Sequence, residues 1–253
     1  MLKINDLTFQ YSRFSPAVLN GIDLELDRGE IGIVLGKNGS GKTTLFKTIL
    51  GIEKPQSGSV IFAGENLLKL SGRERARIIA YVPQTIQFGA LTVFDSVLLG
   101  RISYFSGKAG PEDLAAVETI LQEMGLTEFA DRNMEALSGG ERQKIAIARA
   151  MAQDPKLMIF DEPTENLDIA NEQLIAEEAK RLAREKKISI LCSLHDLNLA
   201  LALGDRFFLM KDGKIKYTCK KEEISEDMIR DIYGIRVRFA EIDHRRIIKG
   251  ESV

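Results

Sequence analysis

Five apolar residues, Ile31-Gly32-Ile33-Val34-Leu35, run without a break into Gly36-Lys37-Asn38-Gly39-Ser40-Gly41-Lys42-Thr43. An apolar run without alternation reads as a strand covered on both faces, the habit of parallel sheets. The glycines let the following backbone curl until successive N–H groups point inward at one anion. Thr43 to Leu50 then reads as a helix, stopped by Gly51 and Pro55, and its N-terminus faces the same anion. The spacing G-x-x-x-x-G-K-[ST] is met at every position. It predicts a phosphate cradle from Gly36, Lys37, Asn38, Gly39, Ser40, Gly41, Lys42, Thr43 and Thr44, with Lys42 reaching the β- and γ-phosphates and the Thr43 hydroxyl on Mg²⁺.

Around that unit the chain is regularly punctuated. Leu2 to Tyr11 and Ile22 to Leu26 alternate like half-buried strands, and Ser59 to Ala63 reads as another. Gly72 to Ile79 reads as a short charged helix. From about Thr85 to Ala152 the pattern is helical: Thr92 and Asp95 form a cap pair, Pro111 sits at a first helical position and Gly125 closes that helix. Strand-like runs return at Leu157 to Phe160, Ile188 to Leu194 and Phe207 to Met210, with a long amphipathic helix, capped by Asp168, after the first. Asp212-Gly213 predicts a hairpin turn, Ser225 to Tyr233 a last helix ended by Gly234, and Ile235 to Ile248 two short strands. The expected fold class is α/β of the P-loop type: a mainly parallel central sheet, an N-terminal antiparallel β region and a helical subdomain inserted at about 85–152, within one domain over 1–253.

Composition narrows the function. Lys and Arg number 35 and Asp and Glu 37, a net charge of -2, which supplies no field for nucleic acid. The longest stretch free of charge and His, Ile78 to Phe94, is interrupted by Pro83, Gln84, Gln87 and Gly89, so no membrane span is expected. Met1 leads straight into strand-like sequence, which reads as a cytoplasmic protein without a signal peptide. Cys192 and Cys219 lack metal or disulfide spacing.

Two further stretches carry chemistry. Leu157-Met158-Ile159-Phe160 delivers Asp161-Glu162 at a strand's C-terminal end, where α/β sheets place their ligands. Asp161 is the expected Mg²⁺ partner and Glu162 the general base for an attacking water. Leu137-Ser138-Gly139-Gly140-Glu141-Arg142-Gln143 precedes an apolar helix. Ser138, Gly139 and Gly140 there make a second anion nest. One triphosphate has no use for two cradles in one chain, but two chains meeting head to tail could share it.

The phosphate loop, Leu137 to Gln143 and Asp161-Glu162-Pro163-Thr164 together resemble the ATP-binding cassette family over nearly the whole chain. The resemblance implies binding of ATP with Mg²⁺ and its hydrolysis. It implies adenine stacking on Tyr11, and a Gln84, in Tyr81-Val82-Pro83-Gln84, that touches Mg²⁺ and the attacking water. His195, in Ser193-Leu194-His195-Asp196, corresponds to the γ-phosphate contact, and Asp168 to the aspartate of the dimer-seam loop. Catalysis is thus expected from Glu162, His195, Gln84 and Lys42, with Mg²⁺ on Thr43, Gln84 and Asp161. That loop usually reads Ser-Ala-Leu-Asp in the family. Here it is Glu165-Asn166-Leu167-Asp168, with an acid where a small hydroxyl is common.

A family member without its own span implies a motor for something else. A transporter motor is favoured over a mechanochemical ATPase of nucleic acid or translation, which usually carries two motif sets or a long coiled coil, and over a plain P-loop kinase, which lacks Leu137 to Gln143. The implied partners are a second copy, integral membrane permease subunits and, indirectly, a substrate-binding protein, on the cytoplasmic side of the membrane and with no nucleic acid. Leu91 to Arg101, Glu74-Arg75-Ala76-Arg77 and the short C-terminal strands resemble importers of iron chelates, haem and cobalamin. Zinc- or manganese-type importers, other small cassettes and a motor for export are the alternatives.

Overall fold

The structure is a computed structural model that describes residues 1–85, 88–165, 167–242 and 245–250. Two compact units divide the chain: Met1–Leu70 with Ala179–Val253, and Ser71–Glu178.

The first unit holds an antiparallel sheet of β1 (Leu2–Phe9), β2 (Leu19–Leu26), β4 (Ser57–Phe62) and β5 (Glu65–Asn66), in the order β2-β1-β4-β5. In β1 the buried residues are Leu2, Ile4, Leu7 and Phe9, so the alternation slips by one between Ile4 and Leu7. The register shifts there and Asp6 takes φ 45°. That bulge absorbs the extra residue and keeps Leu7 and Phe9 on the core face.

The apolar run forms β3 (Ile31–Leu35), buried at all five positions. It lies parallel to β8 (Ser189–Ser193) on one side and β9 (Arg206–Lys211) on the other. β10 (Lys214–Lys220) is antiparallel to β9, through the expected turn at Asp212 (φ 49°) and Gly213 (φ 73°). α1 (Lys42–Ile49) follows β3, α7 (Leu197–Leu203) follows β8, and α8 (Glu226–Tyr233) precedes a hairpin of β11 (Val237–Ile242) and β12 (Arg245–Gly250). Both cysteines are buried, and neither is in a disulfide.

In the second unit β6 (Ile79–Val82) and β7 (Leu157–Asp161) run parallel, Val82 opposite Phe160. α2 (Gly72–Ala76) is shorter than the sequence implies. Ile79, expected at its end, opens β6, because the apolar Ile79, Ala80 and Val82 bury themselves in the sheet. The helical region likewise starts later than Thr85. Its first helix is α3 (Val93–Leu98), capped by Thr92 as expected, and 3₁₀ turns at Leu99–Ser103, Thr127–Phe129 and Met134–Ala136 interrupt the pattern. α4 (Pro111–Glu123) has Pro111 at its first position, and Gly125 (φ 60°) follows its end. α5 (Gly139–Met151) and α6 (Ile169–Arg184) complete the set. The guanidinium of Arg101 lies 3.8 Å from the Tyr104 ring centre and 3.1 Å from Asp113, tying α4 to the turn after α3. No helix among the described residues is long and apolar enough to cross a membrane.

Candidate functional site

In the first unit the phosphate loop rests on β9. A Cβ at Gly36 would lie 2.5 Å from the Met210 carbonyl oxygen, so only glycine fits that seat. Gly39 and Gly41 hold φ 80° and 106°, which lets the backbone curl. Ser40 donates its N–H to Lys37 O at 3.1 Å and accepts one from Gly213 at 3.2 Å. The Lys42 ammonium is buried and donates to Gly36 O at 2.9 Å, folded into the loop's concave side. Ser40 Oγ is buried without a hydrogen-bond partner among the described residues.

A phosphate fits this arrangement. The cradle is free of Cβ atoms where the chain curls, and it holds a buried cation and an unsatisfied hydroxyl. Asn38 is exposed and Thr43 half-buried at the start of α1. Thr44 is buried, and its hydroxyl shares a hydrogen bond with Tyr11 Oη at 3.2 Å. The Tyr11 ring meets Phe9 edge-on at 4.8 Å between centres and is 59% exposed, leaving a face open to a planar ligand. His195 follows β8 and is exposed; Asp196 caps α7 by accepting Leu199 N–H at 2.7 Å.

The second unit brings together the acidic pair and the glutamine. Asp161 ends β7 almost fully buried, at 1% exposure, and accepts Tyr81 O–H at 3.3 Å. Burial, reinforced by the Asp161 carboxylate, pushes the Tyr81 phenol well above its usual range, so it stays a donor. Glu162 is buried and takes φ 52° directly before Pro163. A positive φ on a non-glycine costs about 1–3 kcal/mol and clusters at functional sites. The exposed Gln84 just past β6 donates through Nε2 to Glu162 Oε2 at 2.9 Å and also to Glu165. Thr43 in the first unit, Gln84 and Asp161 are oxygen donors of the class Mg²⁺ takes.

Ser138 is the N-cap of α5. Its Oγ accepts Glu141 N–H at 3.3 Å, while Glu141 accepts Ser138 N–H at 2.8 Å. Such a cap contributes about 1 kcal/mol. The Ser138 hydroxyl, then the Ser138 backbone N–H, hold the Glu141 carboxyl below its usual range. Gly139 and Gly140 form the first turn. A Cβ on Gly140 would strike Asn171 Oδ1 at 2.2 Å, so the glycine lets the start of α6 pack against α5. Asp168 caps α6 by accepting Asn171 N–H at 2.8 Å and Asn171 Nδ2–H at 3.0 Å. Asn166 lies outside the described residues.

Sequence reasoning missed Tyr81, Glu165 and Asn171 as partners. Tyr81 sits within the quoted glutamine stretch and could have been found two residues before Pro83. The other two are defined only by what the fold brings next to them.

A family model described as "ABC transporter" matches residues 19–165. An uncharacterised ABC transporter ATP-binding protein of Methanocaldococcus jannaschii is 37% identical over 93% of this chain and 92% of its own. The iron(3+)-hydroxamate import ATP-binding protein of Bacillus subtilis is 34% identical over 86% of this chain and 82% of its own. A spermidine/putrescine import ATP-binding protein of Mesoplasma florum is 37% identical over 88% of this chain and 63% of its own, and a phosphonates import ATP-binding protein of Rhodopseudomonas palustris 32% identical over 93% and 90%. Among solved structures, one described as an inward-facing metal-chelate type ABC transporter superimposes with TM-score 0.85, 27% identity and coverage of 98% of this chain and 95% of that one. A dimeric ATP-binding cassette in a post-hydrolysis state with ADP and Pi gives TM-score 0.76, 28% identity and coverage of 88% and 100%. With the phosphate loop, the Leu137–Gln143 stretch and this likeness over nearly its full length, the chain belongs to the ABC transporter ATP-binding family and is a cassette that hydrolyses ATP for transport.

Proposed function

We propose that the chain powers import of a metal chelate of the iron-siderophore, haem or cobalamin class through separate integral membrane permease subunits. It works as a homodimer with ATP held head to tail, peripheral on the cytoplasmic face and served indirectly by a substrate-binding protein. The observation that carries the catalytic part is the Gln84–Glu162 hydrogen bond, which joins an orienting amide to the carboxylate of a buried residue whose backbone holds a positive φ. Glu162 takes the proton of the water that attacks the γ-phosphorus as the bond from that phosphorus to the bridging oxygen breaks and ADP leaves with that oxygen, and Gln84 orients the water. Lys42 neutralises charge developing on the transferring phosphoryl group, His195 contacts it, and the loop from Gly36 to Thr44 holds the phosphates. Thr43, Gln84 and Asp161 would hold Mg²⁺, which would supply further neutralisation. Tyr11 stacks on the base. Ser138, Gly139 and Gly140 complete the partner copy's site, and Asp168 lies at the seam. The helical subdomain at about 85–152 carries the face that docks on the permease.

Import of a chelate is supported by the likeness to the metal-chelate type transporter and the hydroxamate importer's cassette. A second reading, phosphonate or polyamine import, is favoured by the relatives so named. The test is uptake of labelled ferric hydroxamate, haem, cobalamin, phosphonate and spermidine in cells lacking the chain, restored by wild type and not by Glu162→Gln. Loss of a chelate alone is expected. Loss of phosphonate or polyamine uptake alone overturns the cargo and leaves the ATPase intact.

A further inference from the structure

The C-terminal hairpin has no part in the chemistry above, yet it is tied to the helix that follows His195. Ile248, on β12, donates its backbone N–H to Asn198 Oδ1 at 2.7 Å, and its carbonyl oxygen accepts from Asn198 Nδ2 at 3.2 Å. The Asn198 side chain, near the start of α7, thus pairs with the edge of β12 as a neighbouring strand would.

The segment held in this way lacks apolar anchorage of its own. Leu194 and Ala200 are buried, but no residue from His195 to Leu199 is. The buried residues of α7 are Ala200, Leu201 and Leu203, all in its second half. Seven residues are too few for a helix to hold its own first turn. Polar contacts fix that turn: the Asp196 cap from within the segment, and Asn198 from the hairpin.

The hairpin can serve as a fixed point because its other side is anchored. Glu226, the first residue of α8, accepts the Phe239 N–H of β11 at 3.0 Å. Arg246, on β12, donates to the carbonyl oxygens of Lys221 and Glu222 at 3.1 and 3.0 Å and of Ile224 at 2.6 Å. Its guanidinium lies 3.7 Å from the Phe239 ring centre. α8 is tied in turn to β9, where Lys211 Nζ donates to Asp231 Oδ1 at 2.8 Å. A continuous set of contacts therefore runs from the central sheet through α8 and the hairpin to the turn that carries His195.

We propose that Asn198 is a positioning residue for ATP hydrolysis: by docking α7 on β12 it holds the His195 turn where the imidazole meets the γ-phosphate. It acts through His195 and not on the nucleotide. A contact held in place beforehand loses less freedom on reaching the transition state, so the effect falls on the chemical step, while the loop from Gly36 to Thr44 still binds the diphosphate. The inference rests on the reading of His195 as the γ-phosphate contact.

The experiment uses the full chain with three readouts: steady-state ATPase, ADP binding by calorimetry, and thermal melting without nucleotide. Asn198 is exposed, so Asn198→Ala removes both hydrogen bonds and leaves the core intact. It should lower kcat by about three- to thirtyfold, the span of one to two lost neutral hydrogen bonds. Its ADP affinity should stay within about twofold of wild type, because ADP lacks the γ-phosphate. In a cycle with His195→Ala the two losses should be non-additive. Glu226→Ala frees the edge of β11 but leaves Arg246 and Asn198 in place, and should lower Tm with kcat within about twofold. Wild-type kcat in Asn198→Ala overturns the proposal, as does weakened ADP binding in that variant, an additive cycle, or an equal loss of kcat in Glu226→Ala, which would mark general loosening. Wild-type kcat in His195→Ala would instead overturn the reading of His195, and the proposal with it.

Discussion

The side-chain amide of Gln84 donates to Glu162 Oε2 at 2.9 Å, and the same nitrogen reaches Glu165. One short polar group thus joins the strand end of β6 to two carboxylates after β7. Glu162 is held while its neighbour offers the amide a second acceptor.

Glu162→Gln keeps the shape and the link to Gln84 but removes the base. Hydrolysis should fall by at least about 10²-fold while ATP binding survives. The variant should elute as a dimer in size-exclusion chromatography with ATP and as a monomer with ADP. Adding Ser138→Arg should abolish the dimer, because the side chain fills the second cradle. Normal hydrolysis, or a monomer in ATP, would remove both the general-base role and the shared site.

Lys42→Ala takes the buried ammonium out of the loop. Turnover should disappear and nucleotide affinity drop, measured by phosphate release and by calorimetry. Near wild-type turnover would sink the phosphate-loop role.

Glu165→Ser restores the residue common in the family. Since Gln84 keeps Glu162 as its acceptor, turnover should change by less than about tenfold, about 1.4 kcal/mol. A cycle with Gln84→Ala should show the two effects to be non-additive, because both residues act on one amide. A complete loss in Glu165→Ser would give Glu165 a direct catalytic role.

Asp231 ties α8 to β9. Hydrogen bonds from Lys211, then Tyr217, then Lys216, hold its carboxyl far below the ordinary range. A folded value below the unfolded one stabilises the fold above the unfolded value, and that stability is lost as pH falls through the folded one. The Tm gap between wild type and Asp231→Asn should therefore be constant from about pH 8 to pH 5 and narrow below about pH 4, where the unfolded carboxylate takes up its proton. A gap that closes between pH 7 and pH 5 would contradict the assignment.

Expressed alone, the protein should stay in the supernatant with liposomes and sediment with membranes only alongside its permease. No helix among the described residues is long and apolar enough to cross a membrane. Binding to bare liposomes would contradict docking through a protein partner.

The sequence by itself determined the parts whose physics is local. Ile31 to Gly41 fixes a buried strand and a left-handed curl, because an unbroken apolar run and glycines at positive φ leave few alternatives. Ser138, Thr92 and Asp168 announce helix starts, because a cap bonds to backbone within three residues, and Pro111 does so because its fixed φ suits the first helical position. The end of α2 was not legible, since Arg77 continues the charged pattern past Ala76 and only pairing with β7 draws Ile79 into a strand. Tertiary structure alone decided that Gln84 meets Glu165 and that Asn171 packs on Gly140. Those pairs join segments far apart in the chain. Neither periodicity nor spacing encodes which side chains meet once each segment has buried its apolar face; the packing of the core settles that, and the polar groups take the partners it leaves them.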